Sequence, residues 1–225
     1  MSNVVTPNLD VRRRVSLSRL LLILLSLISS TSSAYEVIEL DWKQLRPHVP
    51  RTVELPILDY NQRAAVQEAY TLMNVTNEKN SVRISELYSQ FKAQGIDLEQ
   101  LFELRTEYMQ QEQKAAETTT SDYDEKYVRI PGYLVPLEFS SPLVASEFLL
   151  VPVAGACIHM PPPPANQIIR VSYPEGFKVK TVQYPVWVEG KFSSSLHSDD
   201  VYLVDGETNV TMGYTMKATI VEDYL

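Results

Sequence analysis

Apolar positions recur at helical spacing in the first half of the chain and alternate in the second. Ala65, Val66, Ala69, Leu72 and Met73 share one face of a helix over 61–75. Ser81 can cap a second helix carrying Ile84, Leu87, Tyr88 and Phe91, and Gly95 ends it. Asp97 can cap a third, carrying Leu98, Leu101, Phe102, Leu104, Tyr108 and Met109. Residues 74–80 read as a loop, and the polar stretch Gln110–Asp124 reads as a linker. Before the helices, Val37–Trp42 predicts a strand or docking segment, and Pro47, Pro50 and Pro56 break up the stretch after it.

From Tyr127 the period changes to two. Strands are expected over 128–137, bent at Pro131-Gly132, and over 146–153, 167–171, 184–192 and 214–221. Phe148-Leu149-Leu150-Val151 is too apolar for a strand with one wet face. Five short strands in about a hundred residues suit an OB-like small β-barrel, with a mixed sandwich as the alternative. The expected architecture is α+β: a mainly β domain over 126–225 behind a helical segment and linker over 35–120.

Residues 1–34 carry a different pattern. Arg12, Arg13, Arg14 and Arg19 precede a run from Leu20 to Ile28, then small residues ending in Ala34. A basic region, a short apolar stretch and a small-residue end form a secretory signal, with cleavage expected near Ala34. The apolar run is shorter than the roughly 20 residues a spanning helix needs. Cys157 lies far from the cleavage point, which excludes a lipid-anchored start.

Removing the leader changes the charge. The whole chain has 20 basic and 28 acidic residues. Subtracting four arginines and Asp10 leaves 16 against 27, a formal charge of −11. Such a surface repels phosphate backbones and anionic lipid, so nucleic acid is excluded as a partner class. No second apolar segment approaches membrane length, so no membrane span is expected after cleavage. With one cysteine, no internal disulfide can form.

One run concentrates candidate chemistry: Gly155-Ala156-Cys157-Ile158-His159-Met160, then Pro161, Pro162, Pro163 and Pro164, then Ala165-Asn166-Gln167. On extended backbone, Cys157 and His159 point to one side. Thiolate and imidazole together form half a site for zinc or a similar divalent metal. The prolines make a stiff strut, and Asn166 and Gln167 can hydrogen-bond the loop or orient the imidazole. A closed zinc site needs four ligands. Glu138, Glu147, Glu189, His197 and Asp199 are further candidates, among which spacing does not select. His197 sits in the polar stretch Ser193–Asp200, which reads as a solvated turn, and His48 lies among prolines. Two other classes stay open: a thiol-dependent enzyme using Cys157 with His159, and an interaction module docking through the proline loop. The first lacks an orienting partner for the imidazole and any C-x-x-C pair, so no enzymatic activity is expected.

The run G-A-C-I-H-M-P-P-P-P-A-N-Q, preceded by Pro131–Glu138 and followed by Val186–Gly190, resembles a family of exported bacterial proteins of unknown function. The resemblance covers 126–225 and, weakly, the Trp42 region. Genes of that family often lie beside zinc-responsive ABC-transporter genes. The resemblance therefore implies a periplasmic accessory in metal handling, with ABC transporter components as partners and no catalytic residue.

Overall fold

A computed structural model describes residues 1–2, 35–75, 77–141, 143–155, 163–181, 183–203 and 206–224; for 138–141 and 203 it describes the backbone alone. The leader 3–34 and Cys157, His159, Pro161 and Pro162 lie outside the described residues. The chain falls into two units, Met1–Glu36 and Val37–Leu225, and the helices and strands described lie in the second. Among the described residues, no helix is long and apolar enough to cross a membrane.

Three helices come first. Helix α1 (Tyr60–Met73) starts at Asp59, whose carboxylate accepts from the Gln62 amide while Gln62 answers to the Asp59 backbone. That reciprocal box satisfies two otherwise orphaned donors. Helix α2 spans Glu78–Ala93, and its cap is Asn77, not Ser81. The Ser81 hydroxyl instead donates to the Asn77 carbonyl one turn back. Helix α3 starts at Asp97 as expected, but runs from Leu98 to Glu117. The expected linker is thus helical over its first half. Its Gln, Glu, Lys and Ala residues are strong helix formers, and their polarity marks a solvated face. Ala69, Leu87, Phe91, Leu98 and Leu101 form a small core between the helices.

The strands form one six-stranded mixed sheet. Strand β1 (Val37–Glu39) runs parallel to β2 (Tyr127–Ser141). Strand β3 (Val144–Val151) is antiparallel to β2 and to β4 (Ile169–Lys178). β4 lies parallel to β6 (Gly206–Asp223), which is antiparallel to β5 (Tyr184–Leu203). β5 also pairs with β2, so β2, β3, β4, β6 and β5 form a closed cycle of paired strands.

The apolar run in β3 is explained by its two covered faces. Phe148 and Leu150 enter the main core with Val128, Ile130, Val188, Phe192 and Met216, while Leu149 and Val151 turn the other way. There they meet Val201, Val210 and Met212, carried by a β5–β6 arm longer than expected. The stretch Ser193–Asp200 is strand, not a turn. A register shift between Ser194 and His197 re-aims the arm, and the outer face keeps the polar residues that disguised it. Leu40 and Leu45, from the segment around β1 and a 3-10 turn (Trp42–Leu45), are buried in the main core. Each such leucine contributes about 1.5–3 kcal/mol.

Candidate functional site

The described residues frame the Cys157–His159 run from both sides. On the entry side, Gly155 has φ +86°, a region that favours glycine. Its amide donates to the Gln183 carboxamide oxygen. On the exit side, Pro164 leads into a 3-10 turn, Ala165–Gln167, closed by Gln167 N–H to the Pro164 carbonyl at 2.8 Å. This turn lies tight against β6: a Cβ on Gly213 would stand 2.7 Å from the Ala165 oxygen and 3.0 Å from the Thr119 methyl.

Asn166 and Gln167 are buried and polar, and their donors are all spoken for. The Asn166 amide donates to the carbonyls of Ala115 at 2.7 Å and Thr118 at 3.0 Å, holding the end of α3. The Gln167 amide donates to the Trp42 carbonyl at 3.0 Å and the Asn166 carbonyl at 2.7 Å. Trp42 itself donates from its indole to the Pro131 carbonyl at 2.6 Å. The buried Tyr214 hydroxyl donates to the Leu45 carbonyl at 2.8 Å and accepts from the Thr120 amide at 3.0 Å. Burial pushes the Tyr214 hydroxyl up to about 12, with Asp124 and Asp122 adding in the same direction and the Thr120 amide opposing. Segments 42–45 and 115–120 are therefore tied to the sheet at the base of the proline run.

Two further atoms stand out. Asn166 Oδ1 and Gln183 Nε2 are buried and have no hydrogen-bond partner among the described residues. One is an acceptor, the other a donor; Gln183 accepts from the Gly155 amide on the entry side of 156–162, and Asn166 sits in the turn on the exit side. Leaving such groups unpaired costs about 1–3 kcal/mol each. Asn166→Ala is expected to destabilise the protein by about 2 kcal/mol, because the Ala115 and Thr118 carbonyls lose their donor. Urea unfolding of the variant measures this; a change under about 0.5 kcal/mol would show that water replaces the amide.

Three of the other candidate ligands, Glu147, Asp199 and His197, are engaged elsewhere. Arg170 donates to Glu147 at 2.8 Å and also pairs with Asp199, so one guanidinium fills the space between two carboxylates from different strands. The Glu147 hydrogen bond is the main cause raising the Arg170 guanidinium above its ordinary value. His197 lies 3.8 Å from Asp199 and 2.8 Å, through Nδ1, from the Ser195 carbonyl. Glu189 lies in the β2–β5 ladder opposite Arg129, and His48 is exposed. The Glu138 side chain lies outside the described residues. Among the described residues, no three His, Cys, Asp or Glu side chains gather in a way that could hold a metal.

Comparison with known proteins adds a family. A model described as "Protein of unknown function (DUF3299)" matches residues 42–223. The chain belongs to the DUF3299 family. The match includes the helices, which carry no short motif by which the resemblance over 126–225 could extend to them. Among solved structures, the chain is similar to a DUF3299 family protein from Pseudomonas aeruginosa PAO1, solved at 2.45 Å resolution. The two are 27% identical, with 84% of this chain and 97% of that chain covered and a TM-score of 0.48. No curated protein matches this DUF3299 chain.

Tyr214 and Trp42 are the anchoring residues that sequence reasoning missed. Their partners lie 169 and 89 residues away, and only the indole and hydroxyl, groups that seek a partner when buried, could have hinted at them.

Proposed function

We propose that this DUF3299 protein is exported to the periplasm, loses its leader near Ala34, and acts there without enzymatic activity as a metal-binding accessory of an ABC-type transport system. Its binding element is the run 156–162, with Cys157 and His159 as zinc ligands. The observation that carries this reading is the pair of buried atoms Asn166 Oδ1 and Gln183 Nε2, without hydrogen-bond partners among the described residues, on either side of the run. A metal-bound imidazole requires an acceptor for its second N–H, and Asn166 Oδ1 is a group of that kind. The thiolate is a strong zinc ligand, and ligation protects a lone cysteine from oxidation in the periplasm. Because this chain offers two ligands in that run, the remaining positions belong to water, a partner or another of its own donors. The transporter partnership rests on the family resemblance alone.

The five strands paired in a cycle, in the order β2-β3-β4-β6-β5 with β4 and β6 parallel, support an OB-like barrel. In this reading the barrel is the scaffold and the proline run its presented loop.

The test is direct. The protein is purified without a tag from the periplasmic fraction, weighed by mass spectrometry and analysed for metals. A mass starting at Tyr35 and about one zinc per chain are expected. Cys157→Ser and His159→Ala should each lower zinc affinity at least tenfold, a ligand loss costing no less than the second-sphere losses of about 10–100-fold. Metal-free parent protein, or variants that keep their zinc, would defeat the metal reading; a mass including the leader would defeat the export reading.

A further inference from the structure

Away from the proline run, the helical segment carries an open groove of about 420 Å³ with an apolar lining. An extended stretch supplies Leu55 and Ile57, α1 supplies Val66 and Arg63, and α3 supplies Leu101, Arg105 and Met109. Leu55, Ile57 and Met109 are exposed, with Ile57 wholly in solvent. The volume falls within the roughly 300–1,000 Å³ of small-molecule sites.

The charge at this groove is unusual for so acidic a protein. Arg51, Arg83, Arg129 and Arg170 are each paired with a carboxylate, and Arg46, which lies outside the groove, has none among the described residues. Arg63 has no carboxylate partner among the described residues, and Arg105 lies over the Tyr70 ring at 4.8 Å without one. Arg63 and Arg105 both line the groove, which has no Asp or Glu among its lining residues. Beyond them, the Tyr108 hydroxyl is the lining's other polar side-chain group. An extended peptide would bring main-chain donors and acceptors that such a lining cannot satisfy. An occupant with one anionic end and an apolar tail leaves nothing unpaired.

We propose that this groove binds a free single-chain anionic amphiphile of the fatty-acid type, with its carboxylate at Arg63 and Arg105 and its chain along Leu55, Ile57, Val66, Leu101 and Met109. The site is separate from the proline run, and its occupancy does not depend on metal.

Calorimetric titration of the full protein with decanoate, below its micelle concentration, tests this. Saturable binding is expected, at least tenfold tighter than for decanol or decyltrimethylammonium. Arg63→Glu with Arg105→Glu should weaken decanoate at least tenfold, and so should Ile57→Asp, whose exposed position spares the fold. Equal binding of the cationic or neutral chain, unchanged binding in both variants, or no saturable binding would overturn the proposal. So would binding to anionic phospholipid vesicles without binding to monomeric decanoate. Zinc content is read in parallel and should be the same in parent and groove variants.

Discussion

Gly190→Ala is expected to cost more than about 4 kcal/mol, the range reached only when a core or backbone arrangement is broken outright. Gly190 is buried in β5, with β2 on one side and β6 on the other, opposite Val128 and Ala218. A register shift in the β5–β6 ladder falls between Glu189 and Gly190 and brings the β6 backbone close. A Cβ here would run into the Lys217 carbonyl oxygen and stand 2.6 Å from Ala218 Cα and 2.8 Å from Lys217 C. These are backbone atoms, so no rotamer change relieves the overlap; the ladder must separate where the strand cycle depends on it. Gly95→Ala is the control. Its Cβ meets nothing within 4 Å, but the residue has φ +75°, so a loss of about 1 kcal/mol is expected from conformation alone. Urea unfolding midpoints separate the two. A Gly190→Ala loss as small as that of Gly95→Ala would mean that β6 yields, and that the close approach is not a constraint on the fold.

The contrast between those glycines also marks what can be read along a chain. Gly95 is legible as a helix stop because it acts on its own backbone. Gly190 is not, since the atoms that forbid a side chain lie 27 and 28 residues later. The same division holds for larger elements. Asp97 capped its helix as expected because capping is local. Phe148–Val151 announced two buried faces by composition alone, although what covers the second face, the β5–β6 arm, was hidden. That arm looks like a loop because Ser193, Ser194, Ser195, Ser198, Asp199 and Asp200 are polar, and its apolar side is sparse. Gln110–Glu117 failed in the same way: solvated helix and linker share a composition. At the candidate site, the sequence predicts Asn166 and Gln167 as supports of the loop 155–164, whereas the contacts described lead elsewhere. Their amide donors go to the Trp42, Ala115 and Thr118 carbonyls and to the turn itself, so they fasten two distant segments to the base of the run. The Asn166 oxygen, buried and without a partner among the described residues, is left for the role first expected of it.

Tyr214→Phe carries the second large effect, expected at about 3 kcal/mol at neutral pH. The substitution keeps the ring, whose centroid lies 5.0 Å from that of Phe192, so packing changes little. It removes the hydroxyl alone, leaving the buried Leu45 carbonyl and the half-buried Thr120 amide unpaired, at about 1–3 kcal/mol for a fully buried group and less for the amide. The pH dependence identifies the hydroxyl as the cause. Burial holds Tyr214 at about 12 in the folded protein, against about 10 for an exposed tyrosine. A raised folded value means that the stability is fully present below pH 10 and is lost as pH climbs from 10 to about 12, because the unfolded chain gives up the proton first. At pH 11 the parent should have lost about 1.4 kcal/mol that Tyr214→Phe cannot lose, and the gap between them should narrow by that amount. Urea unfolding of both proteins at pH 7, 10 and 11 measures it, the difference cancelling the other titrating groups. A gap that stays constant over that range would place Tyr214 in contact with water. The hydrogen bonds from 42–45 and 115–120 to the sheet would then contribute far less than their burial indicates, and the base of the proline run would owe its position to the Asn166 and Gln167 amides alone.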